Sequence, residues 1–304
     1  MQWKKLGPVF CPDETLPWMR THASTPFPVH IGGDRYRIYF STRDVHNQSS
    51  IASLELELLP QPRVIDVEVA PLISPGVPGL FDDSGVTMSQ VIRADEKDYL
   101  YYQGWTLASK VPFRCAIGLA TRSGGQAVYE KYTQAPVLGI NAADPYSLSY
   151  PWIRREKGLW RMWYGSTLAW EKDGLDVQHV IKYAESADGI DWQRKNTVCI
   201  ALKDGESGIV RPCVLYADGK YHMWYSIRVG RKQTYRLGYG VSEDGVRWQR
   251  HDEEVNFPIG VGGEWDSEMQ CYPCLFEHGG QCYMLYNGNG FGRTGFGLAV
   301  KLPG

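Results

Sequence analysis

One short phrase recurs five times along this 304-residue chain. An apolar strand runs into a Gly/Asp turn and then into a second strand ending in aromatics. The second strands read Tyr36-Arg37-Ile38-Tyr39-Phe40, Tyr99-Leu100-Tyr101-Tyr102, Trp160-Arg161-Met162-Trp163-Tyr164, Tyr221-His222-Met223-Trp224-Tyr225 and Tyr283-Met284-Leu285-Tyr286. Aligned on the last aromatic, the anchors are Phe40, Tyr102, Tyr164, Tyr225 and Tyr286, at intervals of 62, 62, 61 and 61 residues. A constant period that fills a chain marks a repeat architecture. The units are rich in β-branched and aromatic residues and broken by Gly, Asp and Pro, so each reads as a blade of antiparallel strands. The expectation is an all-β fold: a five-bladed β-propeller, one domain over residues 1–304.

A third strand follows in each unit, as in Ile181–Ser186 and Leu237–Ser242. The motif Ser186-x-Asp188-Gly189-x-x-Trp192 returns as Ser242-x-Asp244-Gly245-x-x-Trp248. Ser and Asp beside a turn glycine bond the local backbone, so both read as structural turns. Blade five supplies only three strands before the sequence ends. The missing fourth is expected from Trp3–Phe10, which would close the ring and cover an open edge.

Thirty-two basic residues against 34 acidic ones give a net charge of −2 with no basic run. Nucleic acid and anionic membrane are therefore excluded as main partners. No apolar run reaches the ~20 residues of a membrane span, and Met1–Pro8 lacks a signal-peptide core. Seven cysteines, several in strands, fit a reduced cytoplasmic protein. Cys271-x-x-Cys274 has no second ligand pair and lies in a strand, where residues three apart face opposite ways. The expectation includes neither metal nor cofactor.

In a propeller the inner strand starts at the face to which the second strand returns. Two sets of positions should therefore converge on one central pocket. The first, 14 to 20 residues before each anchor, contains His22, Asp82, Asp83, Asp144, Tyr150, Glu206, Arg211, Asp266, Glu268 and Tyr272. The second, just after each anchor, contains Arg43, Trp105, Arg228, Asn287 and Asn289. Carboxylates and amides bond hydroxyls, Arg bonds anions and Trp stacks on sugar rings, so the mixture suits a polyhydroxylated ligand.

Phe81-Asp82-Asp83-Ser84-Gly85, Arg211-Pro212, Met223-Trp224-Tyr225-Ser226, Trp265-Asp266-Ser267-Glu268-Met269 and Tyr286-Asn287-Gly288-Asn289 carry a family likeness. Over its full length the chain resembles the five-bladed propellers of glycoside hydrolase families 32, 43, 68 and 130, of the kind encoded with bacterial surface-polysaccharide genes. The resemblance implies a carbohydrate-active protein, working on a glycosidic bond of a small carbohydrate or nucleotide-sugar, as hydrolase or phosphorylase. It also exposes a departure. Families 32 and 43 place a catalytic Asp, usually Asp-Pro, on the first inner strand, with further acids in the next blades. The matching column, 14 before each anchor, holds Pro26, Met88, Tyr150, Arg211 and Tyr272, none of them an acid.

Hydrolysis would then fall to the outer acids. A glycosidase needs two carboxyls about 5–9.5 Å apart. Glu268 is the candidate general acid, with Trp265 and Met269 as an apolar wall, and Asp83 the base or nucleophile, with Asp266 beside them. Asp82 and Asp266 read equally well as turn caps. Substrate contacts are expected from His22, Arg43, Asp82, Trp105, Asp144, Tyr150, Arg211, Arg228, Tyr272, Asn287 and Asn289, with Trp170 a further sugar platform. The empty acid column favours one alternative, a sugar-modifying transferase or cyclase on this scaffold; a third reading is a propeller that binds carbohydrate without catalysis.

Overall fold

The computed structural model describes every residue except 124, 125, 127, 172–175, 230–233 and 304. It is nearly all strand. The first strand, β1 (Trp3–Phe10), precedes blade one: β2 (Thr21–Gly32), β3 (Arg35–Arg43), β4 (Ser49–Glu57) and β5 (Arg63–Val67). Blade two is β6 (Gly85–Ala94), β7 (Lys97–Leu107), β8 (Phe113–Ser123) and β9 (Glu130–Lys131). Blade three is β10 (Leu148–Glu156), β11 (Leu159–Trp170), β12 (Val177–Ser186) and β13 (Gln193–Ile200). Blade four is β14 (Glu206–Ala217), β15 (Lys220–Val229), β16 (Thr234–Ser242) and β17 (Gln249–Arg250). Blade five is β18 (Cys271–His278), β19 (Gln281–Asn287) and β20 (Phe296–Lys301), with β1 antiparallel to β20 as its outer strand. The five-bladed expectation and the role of Trp3–Phe10 in blade five both hold.

Within each blade, neighbouring strands are antiparallel meanders. Single parallel pairs, Ser49 with Gly85 and His179 with Gly208, join blade one to two and three to four. The anchors Phe40, Tyr102, Tyr164, Tyr225 and Tyr286 are fully buried. The Ser-Asp-Gly motifs are turns: Ser186 Oγ accepts from Gly189 N at 2.9 Å, and Asp188 accepts from Ile190 N and Asp191 N. Each turn then docks on a neighbouring blade. Tyr101 donates to Gly189 O at 2.5 Å, and Trp163 Nε1 donates to Gly245 O at 2.6 Å. No helix among the described residues is long and apolar enough to cross a membrane.

The inner strands carry the feature that shapes the centre. Each has a register shift opposite its anchor. Four of these shifts are X-Pro steps: Thr25-Pro26, Tyr150-Pro151, Arg211-Pro212 and Tyr272-Pro273. Thr25, Tyr150, Arg211 and Tyr272 have φ of 53°, 46°, 56° and 56°. A bulge inserts one residue, breaks the ladder and re-aims a side chain, and proline, having no N–H to lose, fits there. The pairing also corrects the column derived from spacing. Ser24 pairs with Ser41 and Phe27 with Tyr39, so Thr25, not Pro26, is blade one's member of the column. Blade one carries a further register shift between His30 and Gly32, which adds one residue to the span counted back from Phe40, and spacing alone cannot reveal it.

A bulge leaves a backbone N–H without its ladder partner, and the next blade supplies one. Asn287 Oδ1 accepts from Thr25 N at 2.8 Å, Ser41 Oγ from Met88 N at 2.6 Å, and Ser226 Oγ from Tyr272 N at 2.8 Å. The acceptor is always the residue after an anchor. These bonds run from blade five to one, one to two and four to five.

Candidate functional site

The blades enclose a cavity of about 430 Å³. Arg43, Trp105, Tyr150, Arg228 and Tyr272, all expected at the site, line it together, as does Trp170. Tyr150 Oη and Tyr272 Oη lie 3.3 Å apart. Burial raises the pKa of both phenols, so both stay protonated and able to donate. Trp105 Nε1 donates to Ser49 Oγ at 2.8 Å. That edge rests on Gly85, where a Cβ would stand 2.3 Å from both atoms. Arg43 donates to Asn47 Oδ1 at 2.6 Å, with its guanidinium 5.9 Å from the Trp105 ring centroid. Burial lowers its basicity, against a raising influence from Tyr150 and Tyr272. Arg228 is buried and balanced: it pairs with Asp176 at 3.1 Å, donates to Ser207 Oγ at 2.9 Å and also bonds Val177 O.

The remaining lining mixes hydroxyls, from Ser24, Ser41, Thr42, Thr87, Ser147 and Ser149, with apolar side chains such as Leu107, Pro112, Phe113, Val177, Val210 and Phe291. His179 also lines it, with burial and then the Arg228 charge holding its pKa down at about 3. It is a neutral imidazole at physiological pH. Sequence reading missed His179, Cys115, Ser49 and Tyr235, which also line the cavity. The ladder would have found them. They stand on third strands, directly across from second-set positions: Ser49 opposite Arg43, Cys115 opposite Trp105, His179 opposite Thr167 and Tyr235 opposite Arg228.

No carboxylate is among the described residues lining the cavity. The candidate acids are held elsewhere. Asp82 accepts from Tyr102 Oη at 3.1 Å and pairs with Lys131 at 2.6 Å. Asp144 accepts from Tyr164 Oη at 2.9 Å and Ser166 Oγ at 2.6 Å, and pairs with Lys182 and Arg194 at 3.0 Å each. Asp266 accepts from Tyr286 Oη at 3.1 Å and pairs with Lys5 at 2.6 Å. All three are buried. In blade four the same part is played by Asp252, which accepts from Tyr225 Oη at 2.6 Å and pairs with Arg250 and Lys203. Glu206 joins that network through Arg250 at 2.7 Å. Blade one has Phe40 as anchor, without a hydroxyl, and Arg20 at the equivalent spacing. The acids thus follow the phenols. They are buried partners that tie each second strand to its blade's outer strands.

Asp83 is partly buried and accepts from Gly79 N at 2.9 Å and Ser84 Oγ at 3.0 Å. Hydrogen bonds from Thr106 and Gly79, with a smaller one from Ser84, lower its pKa. Glu268 is exposed rather than walled in by Trp265 and Met269. Its backbone N–H donates to Asn289 Oδ1 at 2.8 Å. Asn289 is further committed to Met269 N and Glu264 O. Asn287 is fully buried and spends its amide on Thr25 N, Ala23 O and Gly295 O. His22 bonds Thr21 Oγ1 at 2.9 Å, and burial with Arg43 and Arg293 nearby lowers its pKa to about 4. Arg211 is fully buried and, like these, outside the cavity lining.

No family model matches the chain. Among solved structures it is similar to one named "Glycoside hydrolase", at 16% identity and a TM-score of 0.76 over 99% of this chain and 92% of that one. An endo-arabinase from Bacteroides thetaiotaomicron aligns at 12% identity and a TM-score of 0.65, covering 99% and 98%. The Bombyx mori GH32 beta-fructofuranosidase BmSUC1 aligns at 16% and 0.62, covering 93% and 61%. At such identities the likeness is one of fold. In sequence, the chain is 44% identical over 301 residues to the uncharacterized protein MT1551 of Mycobacterium tuberculosis and 43% identical to Rv1502 of the same species, with 99% of each chain covered. Identity at that level, sustained over both full lengths, makes this protein a member of the family of these two mycobacterial proteins, built on the β-propeller fold seen in glycoside hydrolases.

Proposed function

We propose that the protein is carbohydrate-active, that its central cavity binds a sugar bearing an anionic group, such as a sugar phosphate or nucleotide-sugar, and that it does not hydrolyse that sugar through a carboxylate pair. The supporting observation is the lining: hydroxyls, two indoles and guanidinium groups set among apolar side chains, with no acid among the described residues. Hydroxyls of Ser, Thr and Tyr bond sugar hydroxyls in either sense, and indole faces stack on sugar rings. Arg43 supplies the charge. No described carboxylate pairs with it, whereas Arg228 already has Asp176. Paired-carboxylate hydrolysis needs two acids flanking the bond, and Asp82, Asp144 and Asp266 are neutralised by lysine or arginine away from the cavity.

Calorimetric titration with glucose 1-phosphate, UDP-glucose and glucose tests this reading. Binding is expected for the anionic sugars and not for glucose. Arg43→Ala should weaken it about 10- to 100-fold, the worth of a charged hydrogen bond. Hydrolysis remains the second reading, favoured by the fold's likeness to glycosidases. Turnover of aryl glycosides that disappears in Asp83→Asn or Glu268→Gln would overturn the first reading in its favour.

A further inference from the structure

Arg211 is a buried charge without a counter-ion among the described residues. It is fully buried, and its Nε, Nη1 and Nη2 have no hydrogen-bond partner among the described residues. It stands on the bulge of β14 at φ 56°, in the column it shares with Tyr150 and Tyr272. Both tyrosines line the cavity, and Arg211, close to both, does not. Its neighbours are Tyr150, Tyr272, Cys213 and Cys274, with the Trp152 ring centroid 5.9 Å from the guanidinium carbon.

None of these neighbours is a carboxylate. Burial pushes Tyr150, Tyr272 and Cys213 towards their neutral forms. A guanidinium does not shed its proton in a protein. Stranding such a charge in a dry interior is costly, and a cation–π contact offsets only part of that cost. The backbone adds a further cost, because a left-handed φ is strained for a residue with a Cβ. Pro212 holds the bulge that puts the side chain there. An acceptor with negative charge would complete this arrangement, and the chain supplies none among the described residues.

We infer that Arg211 holds a small monovalent inorganic anion, of the size of chloride, beside the Tyr150–Tyr272 pair. The anion would take the guanidinium N–H groups, and the two phenol hydroxyls would be free to turn towards it or towards the cavity. Arg211 is fully buried and outside the cavity lining, so a small ion rather than a bulky cavity ligand is the fitting occupant. The inference is separate from the sugar reading: its failure would leave Arg43 and the cavity as they are.

Long-wavelength anomalous diffraction from crystals grown in chloride gives the direct test. A chloride peak within hydrogen-bond distance of the Arg211 nitrogens is expected. A side-chain carboxylate or an ordered water in that place, with no anomalous peak, would overturn the inference. Thermal melts in sodium chloride against sodium gluconate give a second readout. The wild-type midpoint should rise with chloride by at least about 2 °C, as for a ligand bound only by the folded state. Arg211→Met should remove that dependence, and Arg211→Lys, which keeps the charge, should retain part of it. A midpoint equally chloride-dependent in wild type and Arg211→Met would also count against the site.

Discussion

Tyr102, Tyr164 and Tyr286 each lie on a second strand, and each donates to the aspartate 20 residues earlier. Removing either partner has unequal consequences. Tyr164→Phe should cost about 1–3 kcal/mol, the penalty for an acceptor losing one donor. Asp144→Ala should cost more, about 3–5 kcal/mol, because Lys182 and Arg194 would remain as buried, unbalanced cations. Urea midpoints of the two variants check the order. The same residues set the acid limit. Burial opposes ionisation of Asp144, but Ser166, Lys182 and Tyr164 together outweigh it and hold its pKa below the ordinary value. Glu206 and Asp252 are likewise lowered, burial being outweighed chiefly by Arg250 for Glu206 and by Tyr225, Lys203 and Arg250 for Asp252. A lowered folded pKa gives stability that is complete above the unfolded value and is lost as pH falls through the folded one. His179 and His22, held neutral at about 3 and 4, act in the same direction from their unfolded value near 6.5 downward. Stability should therefore decline from about pH 6.5 towards pH 3, and His179→Gln should flatten the upper part of that fall. Melting temperature against pH measures both.

The inner-strand bulge is the element that made the site hard to read and the blades easy to join. Ser41→Ala and Asn287→Ala each strip the acceptor from a bulged N–H in the next blade. Asn287→Ala should be the worse, since its amide also serves Ala23 O and Gly295 O. We expect about 1–3 kcal/mol for Ser41→Ala and a larger loss for Asn287→Ala, read from denaturant midpoints. Gly85→Ala should instead disturb the cavity wall, because its Cβ would collide with Ser49 and Trp105. The strands themselves were legible, since period-two patterning and Asp-Gly turns are local signals. The bulge column was legible in four blades and displaced by one in the first. What spacing could not show was direction. Asp82, Asp144 and Asp266 share a rim with the cavity in sequence, yet they point to phenols and outer-strand cations. An aspartate's partner depends on which side of a loop it faces, and pairs such as Asp82 with Lys131 are brought together only by the fold.

At the scale of the molecule, blade five is assembled from both ends of the sequence. β1 pairs with β20 from Trp3 opposite Lys301 to Phe10 opposite Phe296, and Lys5 balances buried Asp266. Deleting residues 1–10 should expose the β20 edge and strand that carboxylate. The expected outcome is a broadened, lower melt and self-association on size exclusion, because an unpaired edge is a template for further strands. The likeness to glycosidase propellers was readable because the repeat spans the chain. The cavity lining was legible only in part, because Ser49, Cys115, His179 and Tyr235 stand on third strands that only the ladder brings opposite Arg43, Trp105, Thr167 and Arg228. The shared blade also orders events in time. β1 is made well before the strand it pairs with, so on the ribosome it has no ladder partner until Phe296 and its successors have emerged. A nascent chain cut short anywhere before that point carries a bare strand at its start and an incomplete blade at its end, which makes it material for chaperones and proteases rather than a smaller working protein.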